Sequence, residues 1–158
     1  MEITLDLIKE LRNKTGAGIN DCKKALTEAD GNMEKAIELL RKKGAAMAMK
    51  RADKVANEGA VKSKISGDKK TGAIIEVNCE TDFVSKGDEF QKFAENIANT
   101  ALITESDDTE KILSSKIDGK LTVKETIDEI MGKVGERTEL KRAKLIKSAD
   151  GFVADYIH

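Results

Sequence analysis

The sequence predicts an α+β protein: a small N-terminal module of three helices, a helical connector, then a core of β-hairpins packed with helices. Three observations carry that prediction. Apolar residues recur at helical spacing through residues 4–50, with glycines separating the stripes. The period changes to two across residues 59–79, and helical spacing returns from Phe90 onward. The expected division is a helical module with its connector over 1–53 and an α+β core over 54–158.

The first stripe is Leu5, Ile8 and Leu11, with Leu7 beside them. It predicts a helix that begins near Thr4 and fails at Thr15-Gly16-Ala17-Gly18. Asn20 is a capping residue for a second helix with Cys22, Ala25, Leu26 and Ala29 inward, ending at Asp30-Gly31. Asn32 caps a third, with Met33, Ala36, Ile37 and Leu40 inward. Lys42-Lys43-Gly44 reads as its basic last turn and terminal glycine. Isolated helices below about 12 to 15 residues are marginal in water, so the three must pack together.

Residues 45–57, AAMAMKRADKVAN, are mostly helix formers, with Lys50, Arg51 and Lys54 against Asp53 alone. They read as a helical connector with a basic face. In GAVKSKISG, Val61 and Ile65 then alternate with lysines, and in GAIIEVNCE, Ala73, Ile75, Val77 and Cys79 alternate with Ile74, Glu76 and Asn78. That is a β-hairpin, and its turn, residues 67–72, carries the Gly and Asp that favour tight turns. Phe90, Phe93, Ala94, Ile97 and Ala98 restart the helical period. It continues around Ile112 and Leu113 and again at Val123, Ile127, Ile130 and Met131. Leu140 to Lys147 and Phe152 to His158 are strand-like around Ala149-Asp150-Gly151, predicting a second hairpin. Its last strand stops at His158 with no turn, cap or polar tail, so the core is expected to be incomplete at that end.

Composition narrows the function classes. Among 158 residues, 28 Lys and Arg face 29 Asp and Glu, a formal charge of -1. A general nucleic-acid coat carries a basic excess to neutralise phosphates, so a protein partner is the better expectation. Pro is absent, which excludes polyproline ligands and Pro-rich linkers. Aromatics are only 3%, leaving the core to Leu, Ile, Val, Ala and Met. Cys22 and Cys79 lie far apart with no CxxC spacing, and the one His is the last residue, so neither a disulfide framework nor a zinc site is indicated. Glu2, Asp6 and Glu10 oppose a transit peptide, and no apolar run approaches the roughly 20 residues that span a bilayer. The expectation is a cytosolic protein or its organellar equivalent.

Two stretches are more specific than period or composition: LRNKTGAGINDCKKAL at residues 11–26 and EVNCETDFV at residues 76–84. Together they resemble the elongation factor Ts family, exchange factors of the translational GTPase elongation factor Tu. In that family a helical module carries TGAG-x-x-DCKKAL, and a core hairpin runs into TDFV. Both occur here in order, with a Phe-x-x-Phe-Ala helix following as Phe90 to Ala94. The resemblance extends over the whole chain.

Phe83 follows the polar run Asn78, Glu80, Thr81 and Asp82 where strand gives way to helix, which places it on a loop tip rather than in a core. One reading is a staple, with Thr81 or Asp82 capping the helix and Phe83 folded beneath it. The resemblance implies another: Phe83 wedges between two helices of the partner's G domain, with Asp82 as its polar neighbour. Lys23 and Arg12 read locally as solvated helix residues; the resemblance makes them contacts of the N-terminal module. Arg51, on the connector, stands where the family often has Lys, so the charge is kept and the geometry is not. Val134-Gly135 reads locally as a helix stop and by resemblance as a further contact. His158 matches the His of a Tyr-x-His element, Tyr156-Ile157-His158, close to the same interface in the family.

The mechanism so implied is guanine nucleotide exchange on elongation factor Tu, with Phe83 entering near the magnesium and phosphate site. The magnesium belongs to the partner, and no cofactor is implied for this chain. No GxxxxGK[ST] occurs, so the chain does not itself hold GTP by the usual loop. Longer family members continue with a second core half and short ones dimerise, which makes a homodimer possible. Three other classes fit the residues less well. A non-catalytic protein-binding module of ubiquitin-associated type fits the three helices of residues 1–50 but not TDFV. RNA binding through Arg41, Lys42, Lys43, Lys50, Arg51 and Lys54 lacks stacking aromatics. An enzyme has only Glu80 and Asp82 to offer as paired carboxylates, which read more simply as a helix cap and its solvated neighbour.

Overall fold

The computed structural model describes residues 3–158; Glu2 lies outside them. The architecture is mixed α+β, helices with a three-stranded antiparallel sheet of order β1-β2-β3. Two compact units divide the chain, the boundary falling inside a helix. The first takes the chain up to Asp53 together with Ile127–Glu136; the second takes Lys54–Thr126 and Arg137–His158.

In the first unit, α1 (Leu5–Thr15) starts where the Thr4 hydroxyl accepts from Leu7 N. It stops where Gly16 turns left-handed at φ 66° and donates to Arg12 O at 2.6 Å. Only glycine enters that conformation without steric cost. Helix α2 (Ile19–Glu28) is capped by Gly18 and not by Asn20, which lies inside the helix. An extended Gly18 at ψ 147° already starts the helix two residues earlier. Asn32 does cap α3 (Met33–Lys50), its Oδ1 accepting from Lys35 N at 3.0 Å. The apolar faces of these helices close on Ile8, Leu11, Cys22, Leu26 and Ala36. Leu5 falls outside that cluster at 70% exposure, since the stripe had one member too many for the face available.

Gly44 does not end α3. The helix runs through it to Lys50, so the connector expected from residue 45 onward is the C-terminal third of α3 and then a turn. The reason is packing: Gly44 is buried against the last helix, α7 (Val123–Val134), where any Cβ would strike the Asp128 carbonyl oxygen. Glycine serves here for close approach and not for termination.

In the second unit, β1 (Glu58–Ile65) pairs with β2 (Thr71–Cys79), and β2 with β3 (Thr138–Lys147), with a bulge between Glu76 and Val77. The inward face of β2 is the expected one, Ala73, Ile75, Val77 and Cys79, all buried. The apolar half of β1 faces away: register sets Ala60 opposite Val77 and Lys62 opposite Ile75, leaving Val61 at 49% exposure. Lys62 lays its stem on the core side and carries its ammonium out to Glu95 at 3.5 Å. Helix α5 (Asp88–Ile103) covers β1 and β2 with Phe90, Phe93, Ala94 and Ile97, the two phenyl rings edge to face at 6.3 Å. A four-residue helix, α4 (Asp82–Ser85), links β2 to α5, and α6 (Thr109–Ser114) contributes the buried Ile112.

The second hairpin does not form. Residues 138–147 make the third strand of the one sheet, but residues 152–158 form no strand. Their backbone is drawn to the β1–β2 turn instead: Val153 N donates to Lys69 O at 2.8 Å, and Lys70 Nζ donates to Gly151 O at 2.6 Å.

Candidate functional site

Strand β2 ends at Cys79 and α4 begins at Asp82, so Glu80 and Thr81 carry the chain from sheet to helix. Thr81 occupies the N-cap position in extended conformation, ψ 155°, without a side-chain capping bond. Phe83, second residue of α4, is 88% exposed. The staple reading is therefore overturned: no face of the four-residue helix remains for the ring once Ser85, 4% exposed, has turned inward.

An exposed phenylalanine is useful only if its support is firm, and the support here is polar. Glu80 Oε1 accepts from Arg137 N at 2.6 Å. The Arg137 guanidinium donates to Lys54 O at 2.7 Å and pairs with Glu139 at 2.5 Å, so one residue ties together the start of the unit, the end of β2 and the start of β3. The Cys79 thiol donates to Thr81 O at 3.3 Å. Gln91 Nε2, on the first turn of α5, donates to Ser85 O at 2.6 Å.

Asp82 pairs with Lys86 one turn along, Oδ2 to Nζ at 2.8 Å. The hydrogen bond and charge of Lys86 hold the Asp82 carboxyl below the usual carboxylate range, and Asp82 raises Lys86 in return. Both groups are ionised at neutral pH. The surface around Phe83 thus presents an aromatic ring beside an ion pair open to solvent. Glu80 and Asp82 do not act as a carboxylate pair, since one is spent on Arg137 N and the other on Lys86.

The other sequence candidates fall in different places. His158 belongs to the second unit, exposed, its ring 6.3 Å from that of Tyr156. Arg12, Lys23, Arg51, Val134 and Gly135 belong to the first unit. Arg12 lies exposed in the last turn of α1, and Lys23 lies exposed on α2 one turn from the exposed Ile19. Arg51 is the C-cap residue of α3, half-buried. Val134 is the last residue of α7, 38% exposed, and Gly135 follows at φ 71°, donating to Met131 O. The local reading of that pair as a helix stop is correct.

Sequence reasoning did not single out Lys86, Gln91 or Arg137. Lys86 had a signal in the i, i+4 spacing from Asp82. Gln91 and Arg137 had none, because their partners are a main-chain carbonyl and residues up to 83 positions away. Among the described residues, no group of three or more His, Cys, Asp or Glu is placed to hold a metal ion, and no helix is long and apolar enough to cross a membrane.

Comparison with known proteins adds a family. The chain is 49% identical to elongation factor Ts of Hydrogenovibrio crunogenus over 158 residues, covering 100% of this chain and 53% of that protein. Against elongation factor Ts of Chlorobium phaeobacteroides it is 49% identical over 161 residues, 99% of this chain and 56% of the relative. Against that of Clostridium perfringens it is 47% identical over 156 residues, 99% and 52%. The chain spans about half the length of the curated relatives it matches. A family model described as Elongation factor TS matches residues 80–158, beginning at the glutamate that anchors the Phe83 loop. With both halves of its sequence matched in this way, the chain belongs to the elongation factor Ts family.

Proposed function

We propose that this chain acts in translation elongation as a guanine nucleotide exchange factor, binding elongation factor Tu and promoting GDP release. The observation that carries the reading is Phe83: a large apolar side chain 88% exposed on a short helix whose ends are both anchored, in a chain of the elongation factor Ts family. Exposed single apolar residues are common on protein surfaces. One mounted on a hydrogen-bonded pedestal beside an ion pair is built as an anchor, and aromatic anchors are frequent hot spots of protein interfaces.

An exchange factor must bind the nucleotide-free partner better than the loaded one. The coupling is reciprocal, since nucleotide weakens the factor by the ratio in which the factor weakens nucleotide. Burying a Phe side chain contributes roughly 1.5 to 3 kcal/mol. At about 1.4 kcal/mol per factor of ten, insertion confined to the nucleotide-free complex is worth about ten- to a hundredfold in release. Phe83 would enter near the partner's magnesium and phosphate site, displacing elements that hold both. Arg12, Lys23, Arg51, Val134, Gly135 and His158 would add area and orientation, in which solvated charges count for little energy each.

The test is loss of a fluorescent GDP analogue from elongation factor Tu with and without the chain. Acceleration that grows with chain concentration and saturates supports the reading. Binding without acceleration makes the chain a passive docking module instead.

A further inference from the structure

Helix α4, which presents Phe83, cannot hold itself. It has four residues and no side-chain N-cap bond, and so short a helix has no stability of its own. Its pose is set from outside, at both ends. Upstream, Glu80 grips Arg137 N. Downstream, Gln91 Nε2 donates to the carbonyl of Ser85, the last residue of α4. A helix leaves its final carbonyls without intrahelical partners, and Ser85 is only 4% exposed, so water is a poor substitute donor there. The Asp82–Lys86 pair stays within the segment and cannot fix it to the core.

We propose that Gln91 and Glu80 are positioning residues for exchange, holding α4 in a single pose so that the Phe83 ring meets its target already ordered. The inference rests on the exchange reading of Phe83. Neither side chain needs to touch the partner. A loose α4 has to be ordered on binding, and that cost is subtracted from the differential affinity that drives release. Gln91 is the cleaner of the two to alter, because its side-chain amide donates to α4, while Glu80 meets a residue that also grips Lys54 O and Glu139.

The full chain tests this with two readouts. It contains no Trp, so Phe83→Trp places a unique indole whose anisotropy decay reports motion of α4. In that background Gln91→Met, similar in shape without a donor, is expected to add a fast depolarising component, and Gln91→Lys, which restores a donor, to remove it. With Phe83 intact, Gln91→Met is expected to slow saturating GDP release roughly three- to tenfold at temperatures where the variant is still fully folded, with Gln91→Lys recovering most of the rate. Glu80→Ala should act in the same direction, and Glu80→Gln, which keeps an acceptor oxygen, should lie near wild type. Unaltered anisotropy and release in Gln91→Met overturn the proposal. So does slowed release that tracks a lowered unfolding temperature and is not recovered by Gln91→Lys. A wild-type chain that fails to accelerate release defeats the exchange reading instead, and the anisotropy arm still decides whether Gln91 holds α4.

Discussion

Gly44 of α3 and Gly132 of α7 meet backbone to backbone: a Cβ on Gly132 would stand 3.3 Å from Gly44 Cα, and one on Gly44 would collide with the Asp128 carbonyl oxygen. Arg41 reinforces the crossing with an ion pair to Glu129 at 2.8 Å. On an exposed helix, replacing Gly by Ala gains about 1 kcal/mol of propensity. Here the collision is with main chain, which cannot rotate away. Gly44→Ala is expected to lower stability by about 1 to 3 kcal/mol, as overpacking does, measured by denaturant unfolding. A stabilised variant would show that the crossing relaxes freely.

The helical stripe of α1 included one residue that the fold leaves in solvent. Leu26 is fully buried and Leu5 is 70% exposed. Leu26→Ala should cost roughly 2 to 5 kcal/mol, from lost transfer energy and the cavity left behind. Leu5→Ala should stay within about 0.5 kcal/mol. Comparable losses for the two, by thermal or denaturant unfolding, would contradict the packing described.

Capping separates two asparagines in the same way. Asn32 accepts from Lys35 N, whereas Asn20 lies within α2. Asn32→Ala is expected to cost about 1 kcal/mol, and Asn20→Ala to be neutral or slightly favourable, because Ala is the better helix former. Helical circular dichroism through a urea titration gives both values.

Neither cysteine is in a disulfide, and neither side chain reaches solvent. Burial, with the Asp21 charge adding to it, pushes the Cys22 thiol up, outweighing its hydrogen bond from Thr15 and the Arg12 charge. A raised value means less thiolate at a given pH, and thiolate is the reactive form. At pH 8 an aromatic disulfide reagent should therefore titrate neither thiol quickly in the native chain and both at once in denaturant. Rapid native reaction of one equivalent would show an opening that the fold does not contain.

How much of this was legible in the sequence follows from whether the deciding partner is near or far along the chain. The Asn32 cap, the Gly16 stop and the alternation of β2 are local, decided by a residue and its next four neighbours, and each is read correctly from spacing. The role of Gly44 depends on Asp128, so the local rule gives a false helix end, and the facing of β1 depends on its register with β2, which no local rule supplies. The strand expected over residues 152–158 does not form, and Val153 N donates to Lys69 O of the β1–β2 turn instead. At the site, the TDFV motif marks Asp82 and Phe83 and the polar run before the ring points it outward, as its 88% exposure bears out, but the bonds from Gln91 and Arg137 belong to the folded chain alone.

The most direct test of the central claim compares saturating release of a fluorescent GDP analogue from elongation factor Tu by the wild-type chain and by Phe83→Ala. An 88% exposed ring contributes little to folding, so the variant should unfold within about 0.5 kcal/mol of wild type. Its saturating release rate should nonetheless fall about ten- to a hundredfold. Equal saturating rates for the two proteins would show that the ring is not what opens the nucleotide site.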